Sequence, residues 1–205
     1  MATVAKVVKT VKMVKAPTQI RIIGGQWKRT PLRVPDLPGL RPTPDRVRET
    51  LFNWLGQDLS GWHCLDLFGG SGALGLEAAS RGATAVTLNE KNPLAGKTIA
   101  AAIAKLQATQ VTLLQSDALL LLEKLRQQGA RFDLIFLDPP FAQGWLEKIF
   151  PLLDDLLQGP ECIYVEAEAP LSAALLAGKF TVHKQDKAGA VHYHLLHRNA
   201  AGATV

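Results

Sequence analysis

The chain has 205 residues, 47% of them apolar, and a net charge of +5. That length allows one well-buried core and an appendage. No apolar run approaches the ~18 residues needed to span a bilayer, two cysteines are too few for a disulfide framework, and no uninterrupted apolar stretch near the N-terminus suggests a secretory signal. A reducing cytoplasm is the expected compartment.

The charge is unevenly placed. Residues 1–50 hold eleven Lys/Arg and three Asp/Glu, a net +8, whereas the remainder nets −3. A basic arm on a near-neutral body points to a polyanionic partner.

Residues 1–18 carry Lys6, Lys9, Lys12 and Lys15. Their spacing of three matches neither helix nor strand, so a basic flexible tail is expected. Residues 19–38 read as a small β unit: a strand over 19–23, a turn at Gly24-Gly25, and a return over 31–34. Arg21, Lys28, Arg29 and Arg33 surround Trp27 there. This set suits phosphate contact with base stacking, and equally a solubilised hairpin. A Pro-punctuated loop over 39–44 leads to Asp45, a candidate N-cap. The helix over 46–55 then carries Val47, Leu51 and Leu55 on one face. Residues 19–58 thus form an N-terminal extension, and 59–205 the main domain.

From Trp62 strands alternate with helices. Apolar strands are expected over 64–68, 85–88, 111–115, 132–137 and 162–165. Helices are expected over 73–80, 94–106, 119–127, 145–157 and 171–176. Strands over 180–185 and 191–197, turned at Lys187-Ala188-Gly189, close the chain as a hairpin. The pattern predicts an α/β fold: a seven-stranded, mostly parallel sheet covered on both faces, with a terminal antiparallel hairpin. Cys64 and Cys162, flanked by strand residues, should be buried thiols.

Three junctions carry the chemistry. In Asp66-Leu67-Phe68-Gly69-Gly70-Ser71-Gly72-Ala73-Leu74-Gly75, the glycines Gly70, Gly72 and Gly75 satisfy GxGxxG. Such a loop lets the backbone approach a ligand, and Asp66, Phe68, Gly70, Ser71 and Gly72 are the candidate contacts. Glu90, twenty residues after Gly70, can accept from both ribose hydroxyls of a nucleoside, or is a solvated strand-end acid. Asp117 can accept from an adenine amino group, cap a helix, or do both. Together these residues fit either a nicotinamide dinucleotide or S-adenosylmethionine.

Asp138-Pro139-Pro140-Phe141, after the fourth strand, decides between them. The prolines stiffen the loop and remove two donors, leaving the Asp138 carboxylate and the Pro139 carbonyl as an acceptor edge. Two acceptors on an aryl amine pull its nitrogen toward tetrahedral geometry and localise its lone pair. Phe141 offers a stacking face. With a sulfonium methyl donor, catalysis needs little beyond in-line positioning and electrostatics.

Over residues 20–198 the chain resembles the bacterial 16S rRNA guanine-N2 methyltransferase D family, a Rossmann-like class I group. The resemblance runs through Arg21-Ile22-Ile23-Gly24-Gly25, the block from Gly39 to Asn53, the glycine loop, and Asp138 to Phe141; the stretch from Arg41 to Asn53 is its most family-specific part. It implies S-adenosylmethionine as methyl donor and 16S rRNA, in the small ribosomal subunit or its assembly intermediate, as substrate. It also implies Glu90 on the ribose, Asp117 near adenine, and Asp138, Pro139, Pro140 and Phe141 around the target amine. Thr43 and Arg46 would flank the donor's methionine end, and Arg41 joins the residues expected to meet RNA. Gly69 and Asn89 depart from the family pattern, at positions where Ala and an apolar residue are usual.

His63, His183, His192, His194 and His197 show no metal-ligand spacing, so no metal is expected; His192 and His194 suit a sheet face. Glu166 and Glu168, ending the fifth strand, are expected to be solvated. A monomer without membrane attachment is expected. Three alternatives stay open: an NAD(P)-dependent oxidoreductase, an idle RNA-binding assembly factor, and another nucleic-acid amino methyltransferase such as an adenine-N6 enzyme.

Overall fold

A computed structural model describes residues 18–199; the tail expected over residues 1–18 lies, apart from Thr18, outside the described residues. The elements run β1 (Gln19–Arg21), β2 (Pro31–Arg33), α1 (Asp45–Trp54), β3 (His63–Asp66), α2 (Ala73–Ser80), β4 (Ala85–Asn89), α3 (Pro93–Leu106), β5 (Val111–Leu114), α4 (Ala118–Gln127) and β6 (Phe132–Leu137). They continue with α5 (Trp145–Leu153), a 3₁₀ turn (Asp154–Leu156), β7 (Leu157–Ala167), α6 (Ala173–Leu176), β8 (Phe180–Ala188) and β9 (Val191–Arg198). Seven strands form one sheet in the order β5-β4-β3-β6-β7-β9-β8. Its first five are parallel, and β9 runs antiparallel to both β7 and β8.

This order follows from the apolar pattern. Leu134, Ile135, Phe136 and Leu137 of β6 are all buried, as a strand with helices over both faces requires. One apolar layer joins β3, β4 and β6 to α1, α2 and α3; the other lies under α4, α5 and α6. The chain leaves β3 for β4 on one side, while β6 lies on the other. The carboxyl ends of β3 and β6 therefore flank the switch point where open α/β sheets bind ligands. Among the described residues no helix is long and apolar enough to cross a membrane.

The N-terminal extension is fastened to this body. Ile20, Ile22, Leu32 and Val34 enter the same apolar layer as α1 and α2. At its turn Gly25 has φ +70°, and a Cβ there would sit 1.8 Å from the Ser80 carbonyl oxygen, so glycine is required. Glu77 of α2, fully buried, accepts from Ile23 N at 2.8 Å and Gly24 N at 2.7 Å. It also pairs with Arg48 (3.3 Å) and Arg81 (2.9 Å). That carboxylate takes the backbone donors a longer β1 would have used, so β1 stops at Arg21, short of residue 23.

Other boundaries differ for local reasons. Asp45 is the first helical residue, not the cap; Pro44 holds that place without a side-chain bond. The Asp45 carboxylate is engaged by Arg21 at 3.0 Å and Arg48 at 2.6 Å. α5 ends at Leu153, because Leu157 already pairs with Phe132 as β7 begins. α6 starts only at Ala173, where the Ser172 hydroxyl accepts from Leu175 N at 3.2 Å. Lys187 and Ala188 remain paired in β8, and the turn falls on Gly189, at φ +63°. Both cysteines are buried, and burial pushes the Cys64 thiol up.

Candidate active site

A crevice opens at the carboxyl ends of β3 and β6. The end of β3 supplies Asp66 and the loop after it Phe68, Gly69, Gly70 and Ser71; Asp138 follows β6 directly, and the segment before α1 supplies Arg41, Pro42 and Thr43. Gly72 adopts φ +78° as it leads into α2, a left-handed turn that aims the helix start at the crevice. The unexpected Gly69 has a packing reason: a Cβ there would lie 2.3 Å from Leu88 Cδ2.

Asp66 is buried and its Oδ2 accepts from Gly75 N at 2.9 Å. Burial pushes its carboxyl up to about 7; the bonds from Gly75 and Phe68 N–H oppose this, and the charges of Glu90 and Glu166 add to it. A folded value above the unfolded one means Asp66 stabilises the fold at low pH and loses that contribution as pH rises from about 4 through 7. The Tm of the ligand-free protein, measured against that of Asp66→Asn, should fall over this window. A difference that is flat in pH would refute the assignment.

Glu90 stands just past β4. Its Oε2 accepts from Gly70 N at 2.7 Å and its Oε1 from Asn92 N at 2.6 Å, so it shapes the glycine loop from the neighbouring strand. Asn89 explains its own polarity: buried, it donates to the Leu67 and Ser116 carbonyls and accepts from Ser116 N, all at 3.1 Å. It thereby ties the ends of three strands together. Glu90→Ala should weaken S-adenosylmethionine binding by ~1–3 kcal/mol, the range for bonds to a charged group; unchanged affinity by calorimetry in a folded variant would remove Glu90 from the site. Asp117 caps α4 by accepting from Leu119 N at 3.1 Å, and pairs with exposed Lys91 at 2.9 Å. Lys91, ahead of the other causes, holds its carboxyl below the usual range.

On the far wall Asp138 is half-buried and Pro139 buried, whereas Pro140 and Phe141 are exposed. Burial first, then the charges of Glu166 and Asp66, raise the Asp138 carboxyl well above its ordinary value. Beyond it Ala142 sits at φ +59°, with its N–H held by Glu168 Oε2 at 3.1 Å, and Trp145 meets the Phe68 ring edge-on at 5.5 Å.

Glu166 corrects the expectation that it is solvated. It is 4% exposed, and its Oε1 accepts from Thr43 Oγ1 at 2.9 Å and Tyr164 OH at 3.0 Å. Glu168 is exposed as expected. Thr43 and Arg46 separate: Thr43 lines the crevice, while Arg46 is exposed, lies outside the lining, and acts electrostatically on Asp186 of β8. Of the basic residues expected to meet RNA, Arg21, Lys28, Arg29 and Arg33 are exposed on the extension, and Arg41 stands at the crevice mouth. Trp27 is half-buried against the core instead of standing free between them. His194 is buried, and no cluster of three or more His, Cys, Asp or Glu that could hold a metal exists among the described residues.

Sequence reasoning missed the part played by Glu77 and misjudged the burial of Glu166. An acid inside α2, every residue of which is buried, was a legible sign for Glu77. Glu166 carried no such sign, since its partner Thr43 lies 123 residues away.

The sheet order, with the glycine loop and Asp138 at the switch point, defines a Rossmann-like fold of the class I methyltransferase type. The family model described as Conserved hypothetical protein 95 matches residues 20–197. Ribosomal RNA small subunit methyltransferase D of Escherichia coli (strain K12) is 45% identical over 186 residues, covering 90% of this chain and 92% of that protein. The Haemophilus influenzae protein of the same name is 38% identical over 194 residues, covering 91% and 98%. The solved structure titled "Putative methyltransferase yhhF from Escherichia coli" superposes with a TM-score of 0.76 at 42% identity, covering 88% of this chain and 98% of that one. The chain belongs to the ribosomal RNA small subunit methyltransferase D family.

Proposed function

We propose that this protein transfers a methyl group from S-adenosylmethionine to the exocyclic N2 amine of a guanine in 16S rRNA, on the small ribosomal subunit or its assembly intermediate, acting as a cytoplasmic monomer. One observation carries the reading: Asp138, of the Asp138–Phe141 acceptor edge, lines the same crevice as the glycine loop. The relatives' names, which specify small-subunit ribosomal RNA, support the substrate.

The crevice suits a cationic donor. Asp66 and Asp138 line it, with Glu166 behind Thr43, and none of the three forms a salt bridge among the described residues. A donor with a sulfonium and an ammonium compensates these charges, whereas the pyrophosphate of a nicotinamide dinucleotide would be repelled by them. In this reading Asp66, Phe68, Gly70, Ser71, Gly72 and Thr43 hold the donor, Glu90 its ribose and Asp117 its adenine. The donor supplies an electrophilic methyl group. Asp138 and the Pro139 carbonyl grip the amine N–H bonds and turn its lone pair toward that methyl, and Phe141 stacks on the base.

The test is mass mapping of 16S rRNA from cells lacking this gene, with and without complementation. An N2-methylguanosine that disappears and returns supports the proposal; unchanged 16S methylation defeats it. Arg21, Lys28, Arg29, Arg33 and Arg41, with the basic residues 1–18, provide the phosphate contacts. Removing residues 1–18 should leave Tm and donor affinity near wild type, lower the affinity for small subunits, and make the slope of log K against log salt shallower. An unchanged slope would mean the segment does not touch phosphates.

A further inference from the structure

We propose that Glu166 is a positioning residue for methyl transfer, acting through Asp138: its carboxylate, clamped at the neighbouring strand end, equips Asp138 to receive the proton that the target amine sheds. The inference rests on the amino-methyltransferase reading above and adds a residue to it.

The placement comes from strand register. β6 and β7 are parallel, with Leu137 and Val165 as Cα partners. Asp138 follows Leu137 directly and Glu166 is the next residue of β7, so the two stand side by side at the carboxyl edge of adjacent strands. Glu166 is then immobilised: Thr43 Oγ1 and Tyr164 OH both donate to its Oε1, and the Tyr164 ring packs against Phe136 and Tyr193. Burying a carboxylate without a cationic partner is costly, and an apolar side chain would fill the space more favourably. The arrangement makes sense if the charge serves its neighbour.

The groups acting on Asp138 can be named. The charges of Glu166 on β7 and Asp66 on β3 act on it, the Tyr164 hydroxyl lies within electrostatic reach, and Arg41 lines the same crevice from the segment before α1. Neighbouring carboxylates do not ionise independently. Burial comes first, and the charge of Glu166 adds to it, in making Asp138 a better proton acceptor than an isolated carboxylate.

The step balances. The amine nitrogen forms the new N–C bond with its lone pair while the C–S bond of the donor breaks, its electrons going to sulfur. The nitrogen becomes cationic, and one N–H proton passes to the Asp138 carboxylate, leaving a neutral methylamine and a neutral thioether.

Single-turnover methylation of small subunits against pH tests this on wild type, Glu166→Gln and Glu166→Asp. Glu166→Gln should move the acid-side midpoint down by about one pH unit, a tenfold change in proton concentration, and lower the plateau. Glu166→Asp, which keeps the charge, should hold the wild-type midpoint. A Glu166→Gln profile that superimposes on wild type after scaling by one pH-independent factor overturns the proposal. A second measurement needs neither activity nor a variant that folds. The Asp138 carboxyl of carbon-13-labelled wild-type protein, followed by NMR, should titrate well above the usual carboxylate range; titration within that range overturns the proposal. Absence of any methylation by wild type would instead remove the functional reading.

Discussion

Asp138→Ala should lower the single-turnover methylation rate by a factor of ~10²–10³, or ~3–4 kcal/mol, by analogy with loss of a transition-state hydrogen-bond partner. The carboxylate is half-buried at the end of β6, in the wall of the crevice. Its bond to the amine strengthens as positive charge develops on nitrogen, so its removal acts on the rate more than on ground-state binding. Asp138→Asn keeps a carbonyl acceptor in the same place and should fall between wild type and Ala. Because Asn cannot take up a proton, the acid limb of the pH profile should flatten in that variant. Donor affinity should fall far less than the rate in either, since Asp66 still lines the crevice. Rapid-quench measurement with saturating donor and small subunits decides the matter; an Ala variant near the wild-type rate would mean that this loop is not the catalytic edge.

Glu77→Ala should cost ~3–5 kcal/mol of stability, the usual loss when one partner of a buried ion pair is removed. For a domain of this size that is a drop of roughly 6–20 °C in Tm. The variant strips acceptors from Ile23 N and Gly24 N and leaves Arg48, whose side chain is fully buried, without its carboxylate in α2. The damage should reach the crevice. Arg48 Nε donates to the Thr43 carbonyl at 3.1 Å, and Thr43 in turn holds Glu166. Weaker donor binding should therefore accompany the lower Tm. Chemical and thermal unfolding measure the first effect and calorimetry the second; a Tm within 2 °C of wild type would show that this network does not fasten the extension to the body.

Much of this was legible in the chain. Alternating apolar strands and helices determine a covered parallel sheet, because each strand between two helices must be apolar on both faces. The bounds of α2 and β6 coincide with the expected ones. There the apolar run ends at residues that local chemistry cannot extend: the 73–80 helix stops before Gly82, and β6 stops at Asp138-Pro139-Pro140. The glycine loop and the Asp138-Pro139-Pro140 turn were readable as crevice-edge loops for the same reason, since each is a local stretch whose residue types restrict the backbone. Elements ended by distant partners were misjudged. β1 is cut short by a carboxylate on α2, and Asp45 is drawn from capping by Arg21 and Arg48. The fate of Glu166 is the clearest case. An acid at a strand end reads as solvated, because local sequence contains only its neighbours. Only the folded chain brings Thr43 across to it and covers both. Periodicity and turn chemistry are local and survive in the sequence; burial of a charge depends on what the rest of the chain lays over it, and only the tertiary structure decides that.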